Sequence, residues 1–213
     1  MDEYRGRKGV GPRISYTREP GGNVQVLWKD MTVADRYIAD RPWQSATLSA
    51  CPLHPGGACG LRRLGTYARV IPVGVRIARF WCPLARVSIS LLPAFLAARM
   101  RGALDNIEEA VLAAEQAESF AAAVELVHPA DAEHPIGAVC ARRSLRRRVR
   151  AVRAALLALV TLLPERLGGV GVTVAALRQA LGTVHLLVEL RIIAERYLGA
   201  LPTPLGLRPR ASA

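Results

Sequence analysis

The stretch Cys51–Ala85, CPLHPGGACGLRRLGTYARVIPVGVRIARFWCPLA, decides how the first half of this chain is read. It opens on a C-x₂-H pair, Cys51 and His54, and adds Cys59 after a glycine-rich turn. It closes on Cys82, about 22 residues further on. Ligands two residues apart clasp an ion from one tight turn, and tetrahedral Zn²⁺ takes four Cys or His donors. Cys51, His54, Cys59 and Cys82 are therefore candidate zinc ligands. A second knuckle would place Cys or His where Ala85 stands. Two readings follow: a working site that takes Cys59 as its fourth ligand, or a lost site whose sheet now rests on the rest of the protein.

Within and beyond this stretch, GTYARVI, VRIARFW and VSISLL alternate apolar and polar residues as half-buried strands do. Pro72, Val73 and Gly74 separate the first two, and Cys82–Arg86 the next two. Three short antiparallel strands with cysteines at their turns make a zinc-ribbon-like sheet. So small a sheet has little core of its own and ordinarily needs a metal. Upstream, NVQVLW (residues 23–28) reads as another strand, and MTVADRYIADRPW as a turn or short helix. Residues 1–22 lack apolar periodicity and read as a flexible tail, which bounds the ribbon-like domain at 23–93.

After Pro93 the pattern turns helical, giving an α+β protein with a mainly helical domain over 94–200. Helices are expected at 94–101, 104–116, 119–127, 136–163, 174–181 and 184–198. Asp105 and Glu108 have the spacing of a capping box, and Ser119 can cap the following helix. Glu108, Glu109, Glu115 and Glu118 read as a solvated helix face. Cys140, inside the fourth helix, reads as a buried thiol, and the proline-rich segment 201–213 as an extended tail.

The net charge of +12 is a field that attracts polyanions. Every basic side chain except Lys8 and Lys29 is arginine or histidine, as GC-rich coding would give, so placement matters more than number. Placement is concentrated in AVCARRSLRRRVRAVRAALLALVTLL. At 100° per residue, Arg142, Arg143, Arg146, Arg147, Arg150 and Arg153 fall within an arc of about 140°, and only Arg148 points elsewhere. Leu145, Val149, Val152, Leu156, Leu159 and Leu163 form the opposing apolar stripe. Guanidinium groups on one face neutralise phosphates and can read guanine edges in the major groove. The two shorter helices ahead of it give the order of a helix-turn-helix unit, with the arginine helix in the reading position. Arg62, Arg63, Arg69, Arg76 and Arg79 on the ribbon offer a second contact surface.

The runs C-P-L-H-P-G-G-x-C-G, R-x-x-G-T-Y, R-I-A-R-F-W-C-P and S-L-L-P resemble a family of small bacterial proteins associated with insertion sequences and described as transposase-like. The resemblance covers Pro42 to Arg101. It extends more loosely through RRSLRRRVRAVRAAL and LLPERL to ALPTPLG. It implies an N-terminal zinc-ribbon-like domain, a helix-turn-helix-like C-terminal part and DNA binding beside a separate transposase. Cys51, Cys59 and Cys82 fall on the family's cysteine positions, with His54 between the first two. Ala85 and Arg86 stand where related ribbons carry a further Cys or His.

No catalytic constellation is legible. There is no P-loop, no G-x-G-x-x-G after a strand, no H-E-x-x-H and no G-x-S-x-G. The acids Asp30, Asp35 and Asp40 recur at five-residue steps, which does not hold them on one helical face. The expectation is a non-catalytic, mobile-element-type DNA-binding protein. Alternatives are a helical interaction protein that pairs two copies through 174–198, a decayed fragment, and an RNA-binding protein. The longest apolar run, Ala154–Leu163, is far short of the roughly 20 residues of a membrane span. With no secretory signal in its first residues, the chain is expected in the cytoplasm, on the nucleoid.

Overall fold

The computed structural model describes residues 23–129 and 135–207. Its sheet has four strands, not three. β1 (Asn23–Trp28), β2 (Arg62–Ala68), β3 (Arg76–Cys82) and β4 (Val87–Pro93) lie in the order β1-β4-β3-β2. The β2–β3 and β3–β4 pairs are antiparallel, as the alternation predicts. NVQVLW adds the fourth strand, parallel to β4 from Asn23↔Ser88 to Trp28↔Pro93. β4 is thereby central, and all its residues are buried. Its Ser90 is satisfied there because Ser90 Oγ donates to Asn23 Oδ1 at 3.0 Å across the parallel pair.

Between β1 and β2, α1 (Ala34–Asp40) and a 3₁₀ turn at Pro42–Gln44 cover one end of the sheet. Tyr37, 1% exposed, meets Trp28, Trp43 and Phe95 with ring centroids 5.0–5.9 Å apart. Its hydroxyl donates to the Arg76 carbonyl at 2.8 Å, so the aromatic cluster is also hydrogen-bonded to β3.

The helical region contains α2 (Leu104–Gln116), α3 (Phe120–Val127), α4 (Pro135–Leu162), α5 (Pro164–Leu167), α6 (Val174–Leu181) and α7 (Leu186–Ile193), with a 3₁₀ turn at Glu195–Tyr197. α2, α3 and α4 pack against one another, and α2 also packs on α6 and α7. The apolar stripe of α4 does what its spacing requires: Leu145, Val149, Val152, Leu156, Leu159 and Leu163 are all buried. Ser119 caps α3 by accepting from Ala122 N at 3.1 Å.

Six expectations are corrected. Residues 94–98 are buried but not helical. The chain there forms a hairpin-like loop, with Leu96 bridged to Ala103 and Ala97 N–H donating to the Gly102 carbonyl at 3.1 Å. The reason is Arg191 of α7, which is fully buried. Its guanidinium donates to the carbonyls of Ala94 (3.0 Å), Leu96 (2.5 Å), Pro204 (2.8 Å) and Leu205 (3.0 Å). Carbonyls that a helix would have used internally are thus claimed by a side chain far away in sequence. Burial pulls the Arg191 pKa down to about 9, which leaves it charged at neutral pH.

Asp105 is not a cap, since the N-cap of α2 is Ala103. Nor is Glu108 solvated. It is 0% exposed and accepts from Leu186 N (3.0 Å), Leu187 N (2.8 Å) and Arg178 Nε (2.5 Å). Glu115 likewise turns inward and accepts from Val174 N and Ala175 N. The acids of α2 therefore cap the N-termini of α6 and α7, satisfying helix N–H groups that their own sequences leave open. Cys140 is exposed, one residue and so about 100° from the buried Ala141. The apolar residues expected to pair two copies, among them Val174, Leu177, Leu186, Leu187, Val188 and Leu190, lie in the intramolecular core. Finally, the segment expected to be an extended tail makes a turn over 203–205, with Leu201, Leu205 and Leu207 buried. Gly206 fits there because a Cβ would overlap the Leu201 carbonyl. The predicted tail 1–22 lies outside the described residues.

Candidate metal centre and arginine face

Two chain segments bring the cysteines together. In the first, His54 N–H donates to the Cys51 carbonyl at 3.1 Å and Gly57 N–H to the His54 carbonyl at 3.0 Å, folding C-x₂-H into a tight knuckle. Left-handed conformations at Gly57, Ala58 and Gly60 (φ +83°, +61° and +64°) then curl Cys59 back toward it. Ala58 takes this conformation at a cost that glycine would avoid. The second segment is the β3–β4 turn, with Cys82 as the last residue of β3, paired with Val87. A Cβ at Gly60 would meet the ring of Pro83 at 3.4 Å, so the two loops run close together there.

The Sγ atoms of Cys51, Cys59 and Cys82 and a ring nitrogen of His54 all lie within 4.8 Å of one another. His54 Nδ1 is 3.5 Å from Cys51 Sγ and 3.3 Å from Cys82 Sγ. For a tetrahedral ion with metal–sulfur bonds of about 2.3 Å and metal–nitrogen bonds of about 2.0 Å, the S···N edge is about 3.5 Å and the S···S edge about 3.8 Å. The observed S···N edges match. A single imidazole nitrogen has one hydrogen or one lone pair in the ring plane and cannot serve two thiols in that way, whereas an ion between all three atoms can. The three sulfurs are buried while His54 is half-buried.

Ala85, where a second knuckle's ligand was looked for, contributes its backbone. Its N–H donates to Cys82 Sγ at 3.4 Å. Such a bond stabilises negative charge on sulfur and orients the ligand. The β3–β4 turn thus offers one sulfur and one supporting N–H, and Cys59 completes a candidate set of four. Cys51 itself is poised for ionisation. Burial pushes its thiol up, but hydrogen bonding to His54 and to the backbone N–H of Leu53 outweighs that and brings it down to about 7. Burial pushes the neighbouring Cys59 up, and the shared environment with Cys51 adds to the shift. The donor set is three sulfurs and one nitrogen, closed on all sides by protein donors, as structural sites are.

The second candidate site is α4. Arg143, Arg146, Arg147, Arg150 and Arg153 are exposed and Arg142 is half-buried. Arg142, Arg143, Arg146, Arg147 and Arg150 line one shallow cleft of about 590 Å³ with Val139 and no carboxylate. Among the described residues, none of the six has an acidic partner. Arg142 Nε is held by the Ala138 carbonyl at 3.3 Å, and Arg146 lies over the Phe120 ring at 5.4 Å, which ties the face to α3. Arg148, on the other side, is half-buried, and burial together with the charge of Arg147 lowers its pKa.

Neither family models, curated proteins nor solved structures gave a match to this chain. Its chemistry therefore has to be read from its own atoms.

The ribbon arginines do not form one free surface. Arg63 donates to the carbonyls of Trp43 and Gln44, Arg76 to Thr66 Oγ1 at 3.0 Å, and Arg79 stacks over Tyr67 at 5.6 Å. These hold the sheet and its covering turn. Arg69 is different: it reaches across to the 94–103 loop, donating to Met100 O at 2.9 Å. That loop's own arginines, Arg99 and Arg101, lie where the Ala- and Leu-rich composition predicts a helix. Three residues, R-M-R, are too few to show the period of a helix or a strand. Its signal is its position, between a run of buried alanines and Gly102. No described helix is long and apolar enough to cross a membrane.

Proposed function

We propose that this protein is a non-catalytic nucleic-acid-binding module of mobile-element type, in which a zinc ion holds the ribbon and the arginine face of α4 contacts duplex DNA. One observation carries the proposal: six arginines on one face of a helix whose opposite face is buried, five of them lining one cleft that has no acid among its lining residues. A rigid helix with its apolar stripe in the core cannot rotate the charges away, so the field is fixed in the molecule's frame. Five exposed guanidinium groups along about three helical turns match the spread of successive phosphates better than a point ligand. Because α2 and α3 pack against α4 and precede it, the order supports a helix-turn-helix-like presentation with α4 in the major groove.

Zinc suits the three-sulfur, one-nitrogen set better than a hard cation such as Mg²⁺ or Ca²⁺, which prefers oxygen. Its role here is structural. It ties the Cys51–Cys59 loop to the end of β3.

Charge reversal tests the interface. Arg146→Glu with Arg150→Glu should weaken binding to a duplex by well over tenfold in fluorescence anisotropy, with the circular dichroism unchanged. Unaltered affinity would dismiss α4 as the contact surface. A monomer–dimer measurement on the same samples addresses the alternative of an interaction protein.

A further inference from the structure

The arginine face does not end at α4. Arg147 belongs to two clefts at once: the one along the helix, and a second of about 410 Å³ lined by Arg69, Arg99, Met100, Arg101, Arg147, Ala151 and Thr203. Four of those seven residues are arginines, one carries a hydroxyl, and none is acidic. They come from four separate parts of the chain. Arg69 follows β2, Arg99 and Arg101 sit at the tip of the loop after β4, Arg147 is on α4, and Thr203 lies in the C-terminal turn.

This loop is held firmly. Its base is closed by the Leu96–Ala103 bridge and by Leu104 N–H donating to the Phe95 carbonyl at 2.6 Å. Ala98 N–H donates to Pro204 O at 3.0 Å, and Arg191 fixes the carbonyls of Ala94 and Leu96 from below. Arg99 is a non-glycine residue at φ +57°, a conformation unfavourable for an L residue and kept only where the surroundings impose it. One amino group of Arg99 donates to Leu201 O (3.3 Å) and Gly206 O (3.5 Å), and one of Arg69 to Ala97 O (3.4 Å) and Met100 O. Each guanidinium has five N–H donors. These bonds therefore orient Arg69 and Arg99 and leave most of their donors for something else. Arg101 is exposed, and it has no ion-pair partner among the described residues.

Four positive groups converging on one concavity, with two of them pre-oriented by backbone carbonyls, need an anion with many acceptor oxygens. We propose that this cleft is a phosphate-binding site that seats a backbone phosphate of the nucleic acid lying along α4. This rests on the interface reading above and extends it, from a helix in a groove to a path that turns off the helix at Arg147 toward the ribbon. Planar forked donors recognise the tetrahedral phosphate oxyanion; a free phosphorylated ligand would offer the same chemistry, so the test separates the two sources.

Inorganic pyrophosphate is the probe for the cleft alone, with thermal melting of the full chain as readout. Arg101→Gln removes a donor with no structural bond, Arg101→Lys keeps the charge, and Arg143→Gln with Arg150→Gln alters the helix face outside the cleft. A pyrophosphate-induced rise in Tm that Arg101→Gln reduces, Arg101→Lys largely restores and the Arg143/Arg150 pair leaves intact supports the site. No rise in the wild type, or the same rise in Arg101→Gln, overturns it. With duplex DNA at 150 mM salt, loss of one phosphate contact should weaken binding by about fivefold in Arg101→Gln. DNA affinity unchanged in that variant refutes the backbone path. If the wild type binds no DNA yet shows the Arg101-dependent shift, the interface reading fails and the cleft stands as a site for a free phosphorylated ligand.

Discussion

Replacing Arg191 with methionine should do more damage than any other single change in the helical region. The side chain is fully buried and its guanidinium serves four carbonyls, those of Ala94, Leu96, Pro204 and Leu205. Methionine roughly fills the volume but donates nothing. An unsatisfied buried acceptor costs about 1–3 kcal/mol. Four would give an upper bound near 8 kcal/mol at the middle of that range, reduced by relaxation and by the desolvation of the charge, which methionine no longer has to meet. A loss of about 4 kcal/mol is the expected result. For a chain of this size that lowers Tm by roughly 8–16 °C. Arg191→Lys retains a charge and three donors on one nitrogen, which cannot reach carbonyls from two separate segments, so about half the loss should remain. Arg196→Met, an exposed arginine stacked on Tyr197, is the control and should stay within about 1 kcal/mol. Chemical denaturation and thermal melting both measure this. If Arg191→Met lies within 1 kcal/mol of the wild type, the stitching of the ribbon-side loop to α7 is not what holds the two parts together.

Other consequences concern the metal centre. Purified protein should contain one zinc per chain, and Cys82→Ser should lose it, because four donors are in reach among the described residues and one of their sulfurs is removed; stoichiometric zinc in the variant would mean that Cys82 is not a ligand. The affinity for zinc should fall as pH drops, since thiols must deprotonate to bind. Cys51, lowered to about 7 in the metal-free fold, is already a thiolate above that pH and must shed a proton below it, while Cys59, pushed upward, sheds one across the whole neutral range. The slope of log affinity against pH should therefore steepen by about one proton below pH 7. A competition titration with a chromophoric chelator reads this directly, and a slope constant from pH 6 to 9 would contradict the Cys51 assignment.

The parts of this protein governed by local pattern were legible in its sequence. Alternation located β2, β3 and β4, and the period of α4 separated its buried leucines and valines from its arginines. The spacing of Cys51, His54, Cys59 and Cys82 named candidate ligands whose donor atoms the fold then gathers within 4.8 Å of one another. What could not be read depended on partners far along the chain. Residues 94–98 look like a helix because Ala and Leu favour one, yet Arg191 is nearly a hundred residues away and takes their carbonyls. Glu108 looks like part of a solvated acidic face until α7 sets its N-terminus on it. Ala85 reads as a missing ligand because a sequence displays side chains, whereas its contribution is a backbone N–H. The basic cleft was hidden for the same reason: Arg69, Arg99, Arg101 and Arg147 become neighbours only through tertiary structure.

The claim that matters most is that α4 presents a fixed arginine face to nucleic acid, and the salt dependence of duplex binding by the wild-type chain tests it most directly. If each of the five exposed arginines neutralises one phosphate, log affinity should fall with log salt at a slope of about −4.5, or roughly 500-fold between 50 and 200 mM. A slope shallower than about −1, or no measurable binding at 50 mM salt, would contradict it.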